Sequence, residues 1–198
     1  SVSFFNFRNL ETIKDFNCNA EKIFLIGNNG TGKTNFLDVL YTICYGSSFK
    51  ASDIANAQHG TSSWKISAIK HTDKLVDTLS VSWDKETGKQ YSINEKKVHD
   101  RKELIEKNPV ILFSYEDLSF VKGSNESRRQ FLDQTASLCD NSYIECLRNF
   151  KKLLKLKNFS LKNHTLDLLD IYTEQFSVYA FELVQKRSRI ITELSQIF

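Results

Sequence analysis

The chain has 198 residues, of which 40% are hydrophobic and 26% are charged, a composition typical of a soluble folded protein. There is no run of about eighteen apolar residues and no secretory signal at the start, so we expect a cytoplasmic protein without a membrane partner. The net charge of +3 allows contact with a phosphate backbone but does not indicate it, and four cysteines without a CxxC pair indicate neither zinc nor a disulfide framework.

The start of the chain alternates between strand and helix patterns. Strands are predicted over Val2–Asn6 and Lys22–Ile26, and the second contains an uninterrupted apolar run that is typical of a strand buried on both faces. From Thr34 onward, apolar residues recur at spacings of three and four, which predicts an amphipathic helix that ends at Gly46. The first unit is therefore predicted to be a strand, a glycine loop and a helix.

The middle of the chain has the pattern of an antiparallel sheet. Between Trp64 and Val98 the apolar period is two, which predicts an antiparallel meander with one turn at Asp84–Lys89. The only proline, Pro109, precedes an apolar run over Val110–Phe113 that predicts another strand.

The rest of the chain is predicted to be helical. Ser124 or Asn125 is expected to cap a first helix. The apolar spacing of three and four then continues to the end of the chain, with an interruption at Lys186 or Arg187.

The glycine loop carries the strongest chemical signal. Its eight residues fit the pattern GxxxxGK[ST] between a predicted strand and a predicted helix, the context that a phosphate-binding loop requires. Glycines let successive N–H groups approach a phosphate, Lys33 can reach the β- and γ-phosphates, and the Thr34 hydroxyl can bind Mg²⁺. The predicted nucleotide-binding residues are Gly27, Asn28, Asn29, Gly30, Thr31, Gly32, Lys33 and Thr34. The alternative is a glycine-rich turn with an incidental lysine. No NKxD-type guanine signature follows, so ATP is favoured over GTP.

The residues that hydrolysis needs are missing from the sequence. An acidic residue after a buried strand normally holds Mg²⁺, and in ABC proteins an adjacent glutamate polarises water. After Val110–Phe113, the two acidic positions are taken by Ser114 and Tyr115, and no Gly-Gly pair exists that could belong to an LSGG-like signature. We expect the catalytic residues to lie beyond Phe198, and we expect this chain to bind nucleotide without hydrolysing it.

Two segments carry a resemblance to a known family. Asn6–Leu10, reading NFRNL, precedes the glycine loop, and Pro109–Asp133 reads PVILFSYEDLSFVKGSNESRRQFLD. Together they resemble the bacterial RecF family over nearly the whole chain. Tyr115 and Asn125 stand where the family usually has proline, and Gln130 stands where it often has a third arginine.

The resemblance implies an α/β fold, the ABC-type ATPase head, with a mixed sheet that includes the meander and with a helical lobe. It implies a Walker A lobe over 1–113 and a helical lobe over 114–198, incomplete because the signature and Walker B motifs would follow. In that family ATP and Mg²⁺ control a homodimer that binds DNA without sequence preference, helps to load recombinase with RecO and RecR, and supports DNA replication, repair and the SOS response. Arg8 is expected near the nucleotide phosphates or base, and Glu116 near a Q-loop position.

Basic residues cluster on one predicted helix. They are Arg148, Lys151, Lys152 and Lys155. These positions share one helical face and could neutralise DNA phosphates, although a solvated helix exterior is the alternative. For Arg128 and Arg129, the alternatives are contact with phosphates and pairing with local carboxylates such as Asp133.

The sequence is also compatible with other functions. The chain could belong to an SMC-like or Rad50-like ABC head of another DNA-maintenance complex, whose helical arm would continue as heptads. A P-loop kinase for a small metabolite is disfavoured by the antiparallel meander. A fragment that binds nucleotide and does nothing else is the simplest alternative.

Overall fold

The computed structural model describes residues 1–72, 75–114, 123–165 and 167–196. The chain divides into two compact units, Ser1–Leu112 and Phe113–Phe198. In chain order, the first unit contains β1 (Val2–Phe5), β2 (Ile13–Phe16), α1 (Lys33–Tyr45), α2 (Asp53–Asn56), β3 (Ser63–His71), β4 (Val76–Asp84), β5 (Gly88–Ile93), β6 (Lys96–Val98) and α3 (Lys102–Lys107). The second unit contains α4 (Asn125–Cys139), α5 (Asn141–Lys162) and α6 (Leu169–Ser195).

One antiparallel sheet organises the first unit. Among the described residues, six strands pair in the order β2-β1-β3-β4-β5-β6, and all neighbours run antiparallel. The predicted meander is confirmed as β3 to β6. In β3 and β4, Trp64 lies opposite Trp83 and Ile66 lies opposite Val81. Because side chains alternate along a strand, these apolar residues lie on one face of the sheet.

Helix α1 packs on that apolar face. It begins at Lys33 and ends before Gly46, as its apolar spacing predicted. The core that the helix and the sheet share includes Phe4, Phe36, Val39, Ile43, Trp64, Ile66, Leu79 and Val81. Burial of each large apolar side chain contributes about 1.5–3 kcal/mol, so this contact fixes the helix on the sheet. The helix in turn fixes the place where the glycine loop ends.

Two predicted strands do not form. Lys22–Ile26 and Val110–Phe113 have no strand structure. The side chains of Phe24 and Ile26 are 80% and 94% exposed, and that of Phe113 is 84% exposed. A strand that is buried on both faces needs a hydrogen-bonded neighbour and two covering layers. The described residues supply neither to these two segments, so the prediction of a buried strand over Lys22–Ile26 and of another strand over Val110–Phe113 is wrong.

Three helices make up the described part of the second unit. Helix α4 begins after Ser124, whose hydroxyl accepts a hydrogen bond from the N–H of Ser127 at 3.3 Å, as the predicted cap requires. The core of this unit includes Ala136, Tyr143, Cys146 and Leu183. None of the described helices combines the length and the apolar character that spanning a membrane requires.

A polar bridge joins these three helices. Asp133 of α4 accepts hydrogen bonds from Nη2 and Nε of Arg187 of α6, at 2.7 and 3.0 Å. It also accepts one from the hydroxyl of Tyr143 of α5, and burial raises the pKa of that hydroxyl. The interruption of the apolar pattern of α6 at Arg187 therefore marks a charged contact inside the unit. At the surface, Arg129 pairs with Glu126 at 3.5 Å.

A second ion pair lies at the start of α5. Asp140 caps this helix by accepting a hydrogen bond from the N–H of Ser142 at 2.8 Å, and the ammonium of Lys186 donates to the same carboxylate at 2.7 Å. Hydrogen bonds from Lys186 and Ser142 lower the pKa of Asp140 to about 2. The pair therefore ties the beginning of α5 to α6.

We expect Arg187→Ala to destabilise the helical unit strongly. The change leaves the carboxylate of Asp133, which is only 15% exposed, without its cation, so the free energy of unfolding should fall by about 2–3 kcal/mol. Arg189→Ala is the matched control, because Arg189 is 82% exposed and, among the described residues, pairs only with Glu193 at the surface. Its cost should stay below about 0.5 kcal/mol. Urea unfolding followed by far-ultraviolet circular dichroism measures both, and equal losses would contradict the prediction.

The ion pair of Asp140 predicts a dependence of stability on pH. Its pKa is lower in the folded chain than the usual value of about 3.9, so its contribution is complete above that value and is lost as the pH falls towards 2. We expect the difference in thermal midpoint between the unaltered chain and Asp140→Asn to shrink between about pH 5 and about pH 2. Glu145→Gln, on the exposed side of the same helix, is the control. A difference that does not change with pH would refute the assignment.

Candidate phosphate-binding site

The glycine loop lies at the N-terminal end of α1. Gly32 is the residue before the helix, and the N–H of Phe36 closes the first helical turn on the carbonyl of Gly32 at 2.8 Å. The first N–H groups of a helix have no partner within the helix, and the helix dipole places partial positive charge there. The predicted start of the helix beside the loop is therefore found, and this end can hold an anion.

The backbone of the loop depends on two glycines in the left-handed region. Gly30 has φ 83° and Gly32 has φ 95°. A Cβ atom on Gly32 would lie 2.6 Å from Cδ2 of Leu10, which is closer than atoms approach without movement. Any other residue at this position would therefore be strained by its φ and would also push against Leu10.

Lys33 lies within the loop. Its ammonium donates hydrogen bonds to the carbonyls of Gly27 at 2.8 Å and of Asn28 at 2.6 Å. The hydroxyl of Thr31 donates to the same carbonyl of Asn28 at 2.9 Å. The ammonium is thus held inside the loop by carbonyl oxygens, and phosphate oxygens could replace them as acceptors.

Thr34 lies at a position that suits a ligand of a metal ion. The side chain is exposed in the first turn of α1, and its hydroxyl has no hydrogen-bond partner among the described residues. Mg²⁺ prefers oxygen ligands and commonly takes one or two from protein, with phosphate and water supplying the others. The residues of the loop therefore fit a phosphate chain together with Mg²⁺.

Arg8 makes its contacts inside the first unit. It follows β1 in the left-handed region, with φ 51°, and its side chain is 10% exposed. The guanidinium donates to Asp38 at 2.5 Å, and to Asn56, Asn35 and Ser48 at distances between 2.8 and 3.0 Å. This arrangement favours a structural role for Arg8, and its contact with a nucleotide stays a prediction.

Sequence reasoning missed the residues that hold Arg8 and the loop together. The carboxamide of Asn9 donates to the carbonyl of Gly30 at 3.0 Å and accepts from Asn35 at 2.6 Å. Asp38 is fully buried on α1 and also accepts hydrogen bonds from Ser48 at 2.7 Å and from the N–H of Phe49 at 3.1 Å. The sequence offered one signal of this contact, which is the acidic residue Asp38 in a helix predicted to pack on the sheet. A carboxylate that becomes buried there requires a cation as its partner.

The basic residues predicted to bind DNA lie together on α5. Arg148, Lys151, Lys152 and Lys155 are all exposed. Within the described residues, no carboxylate lies at salt-bridge distance from Lys151, Lys152 or Lys155. These four residues therefore form a positive face that is exposed to solvent, the basic face of α5.

Three of the four cysteines are poor candidates for a reactive thiol. Burial raises the pKa of Cys18 and Cys44, and it raises the pKa of Cys146 to about 11. Because the thiolate is the reactive form, these three side chains are poor nucleophiles near neutral pH. All four cysteines are free thiols.

Two further predictions cannot be placed. Tyr115, which stands at a position expected to be acidic, and Glu116, expected near a Q-loop position, lie outside the described residues.

Comparison with curated proteins gives one consistent name. The RecF protein of Treponema pallidum, described as a DNA replication and repair protein, is 37% identical over 195 residues, which are 98% of this chain and 55% of the relative. RecF of Staphylococcus carnosus is 30% identical over 203 residues, and RecF of Flavobacterium johnsoniae is 29% identical over 204 residues. The chain spans about half the length of these relatives. No family model matches the chain.

Solved structures give the same fold. A structure of the recombination mediator RecF with ATP, from the RecFOR pathway, matches 98% of this chain with a TM-score of 0.84 at 22% identity. The corresponding structure with ATPrS matches equally well. Because these matches extend over nearly the whole chain, they confirm the predicted α/β head with a helical part. Each match covers little more than half of the solved chain. The chain is thus a homologue of the RecF family, and its coverage fits the N-terminal portion of a RecF protein.

Proposed function

We propose that this chain is the ATP-binding portion of a RecF-type DNA replication and repair protein. The observation that carries the proposal is the glycine loop at the start of α1, with the ammonium of Lys33 inside it. The names of the curated relatives and a RecF structure with ATP support the choice of nucleotide and the wider role.

Different groups of the loop bind different parts of the Mg²⁺–nucleotide complex. Backbone N–H groups from Gly30 to Thr34 and the end of the helix dipole hold the phosphates, Lys33 neutralises charge on the β- and γ-phosphates, and Thr34 holds Mg²⁺. Mg²⁺, when bound there, would neutralise part of the negative charge of the phosphates. The role of Arg8 is to hold α1 in place through Asp38.

The remaining parts of the proposal concern the whole protein. We propose that ATP controls a homodimer and that the protein acts at DNA with RecO and RecR to load recombinase. Induction of the SOS response and a cytoplasmic location belong to the same proposal. ATP hydrolysis requires acidic residues that the sequence from Ser1 to Phe198 does not place after a buried strand.

DNA contact is proposed for the basic face of α5. Three of its four cations have no carboxylate partner among the described residues, so their charge remains available to phosphates. Contacts of this type are independent of base sequence and weaken steeply with salt, because binding releases condensed counterions. The proposal therefore concerns sequence-independent DNA binding.

We expect Lys33→Ala to weaken binding of a fluorescent ATP analogue. The change removes a charged hydrogen-bond donor to the phosphates, a loss of about 1.5–3 kcal/mol, which corresponds to a Kd raised by about 10- to 100-fold. Lys22→Ala is the control, because Lys22 is exposed in the segment before the loop. Its Kd should not change. Equal affinity of the Lys33 and Lys22 variants in a fluorescence titration would refute nucleotide binding at this loop.

We expect reversal of Lys151, Lys152 and Lys155 to glutamate to abolish most duplex DNA binding. Each phosphate contact contributes about 0.9 to the slope of log K against log salt concentration, so the slope should fall by about three. A control that reverses Lys50, Lys96 and Lys97, which are exposed in the other unit, makes the same change in net charge. Fluorescence anisotropy at several salt concentrations measures both. The same loss in both variants would show that net charge alone matters.

A further inference from the structure

The side chain of Asn9 connects the glycine loop to the first turn of α1. Its amide group donates to the carbonyl of Gly30 at 3.0 Å, and its carbonyl accepts from the amide group of Asn35 at 2.6 Å. Both ends of one carboxamide are therefore used, one on the loop and one on the helix that follows it. Sequence separations of 21 and 26 residues make these contacts tertiary.

The bond to Gly30 sets the direction of a neighbouring donor. A peptide group is planar and trans, so its C=O and its N–H point in opposite directions. Because the carbonyl of Gly30 points towards Asn9, the N–H of Thr31 in the same peptide group points away from Asn9. Asn9 thereby orients one of the N–H groups that the loop offers to an anion.

The turn that carries Asn9 is itself rigidly held. The N–H of Arg8 donates to the carbonyl of Asn56 at 2.9 Å, and the guanidinium of Arg8 is anchored on Asp38. Leu10, on the other side of Asn9, lies so close to Gly32 that a Cβ atom there would be 2.6 Å away. The residues on both sides of Asn9 are therefore held in place, and the position of Asn9 relative to the loop is fixed.

We propose that Asn9 is a positioning residue of the phosphate-binding loop, which it keeps in the conformation that receives the diphosphate part of a nucleotide. The proposal rests on the proposed function of the loop as a nucleotide site. Asn9 itself is exposed, so it contributes little to the core of the unit. Its loss should affect the affinity for phosphates and leave the fold intact.

The test compares Asn9→Ala with Asn19→Ala in the full 198-residue chain. Asn19 is an exposed asparagine of the same unit, and its side chain has no hydrogen bond among the described residues. We expect Asn9→Ala to weaken ADP binding by about threefold to tenfold, the effect of one oriented hydrogen bond, and Asn19→Ala to leave it unchanged. Without ligand, the thermal midpoint of both variants should equal that of the unaltered chain.

Two further measurements separate positioning from a general structural effect. Inorganic pyrophosphate should lose affinity for Asn9→Ala by the same factor as ADP, because the change acts on the phosphates and not on the base. In a double-mutant cycle, Asn9→Ala and Asn35→Ala should be non-additive, since they act through one connection. Asn9→Leu, similar in shape but without a donor, should reproduce the loss seen with alanine.

The outcomes distinguish this proposal from the function on which it rests. If the unaltered chain binds ADP, Lys33→Ala weakens binding and Asn9→Ala does not, only the role of Asn9 is overturned. If the unaltered chain binds neither ADP nor pyrophosphate, both proposals fail. A lower thermal midpoint of Asn9→Ala without ligand, with ADP and pyrophosphate affected to different extents, would also overturn the positioning role.

Discussion

The ion pair between Arg8 and Asp38 is the contact on which the first unit depends. The carboxylate is fully buried and the arginine side chain is 10% exposed, so each charge would be very costly without the other. Ser48 and the N–H of Phe49 supply further hydrogen bonds to the carboxylate. The pair therefore joins three parts of the chain that are distant in sequence: the turn after β1, the middle of α1 and the segment after α1.

The backbone at this pair is strained, and the surrounding structure holds the strain in place. Asn6 and Arg8 both have positive φ, at 54° and 51°, and such conformations cost of order 1–3 kcal/mol each in residues other than glycine. Between them, Phe7 is fully buried and packs edge-on against Trp64 with ring centroids 5.5 Å apart. Burial of this ring offsets the strain, so the side chains of the turn point at α1 and at the glycine loop in a fixed direction.

Sequence patterns predicted the strands and helices that depend mainly on local interactions. The meander, α1 and the helices after Ser124 follow from apolar periods of two and of about 3.6, and the loop motif predicted the candidate phosphate-binding site. The segments 22–26 and 110–113 are also apolar, but they do not form strands. A strand requires a neighbouring strand as its hydrogen-bond partner, and a local sequence pattern does not show whether that partner is present. The support of the loop was missed for a related reason: the contacts of Arg8 span 27 to 48 residues and depend on the fold. Asp38 alone offered a hint, as a carboxylate on a core-facing helix.

Among the described residues of the helical unit, cations that face inward are paired with carboxylates, and several cations on the surface are not. Arg187 and Lys186 are turned inward, and each is matched by a carboxylate, Asp133 or Asp140. Lys151 and Lys152 point outward, and the described residues offer them no carboxylate. Because the sequence has no acidic residue between Glu145 and Asp167, this side of α5 keeps its positive charge, and its potential acts on solvent within about 8–10 Å at physiological salt. The helical spacing of three and four residues places those charges on one face, an arrangement that suits the proposed contact with a regular phosphate backbone.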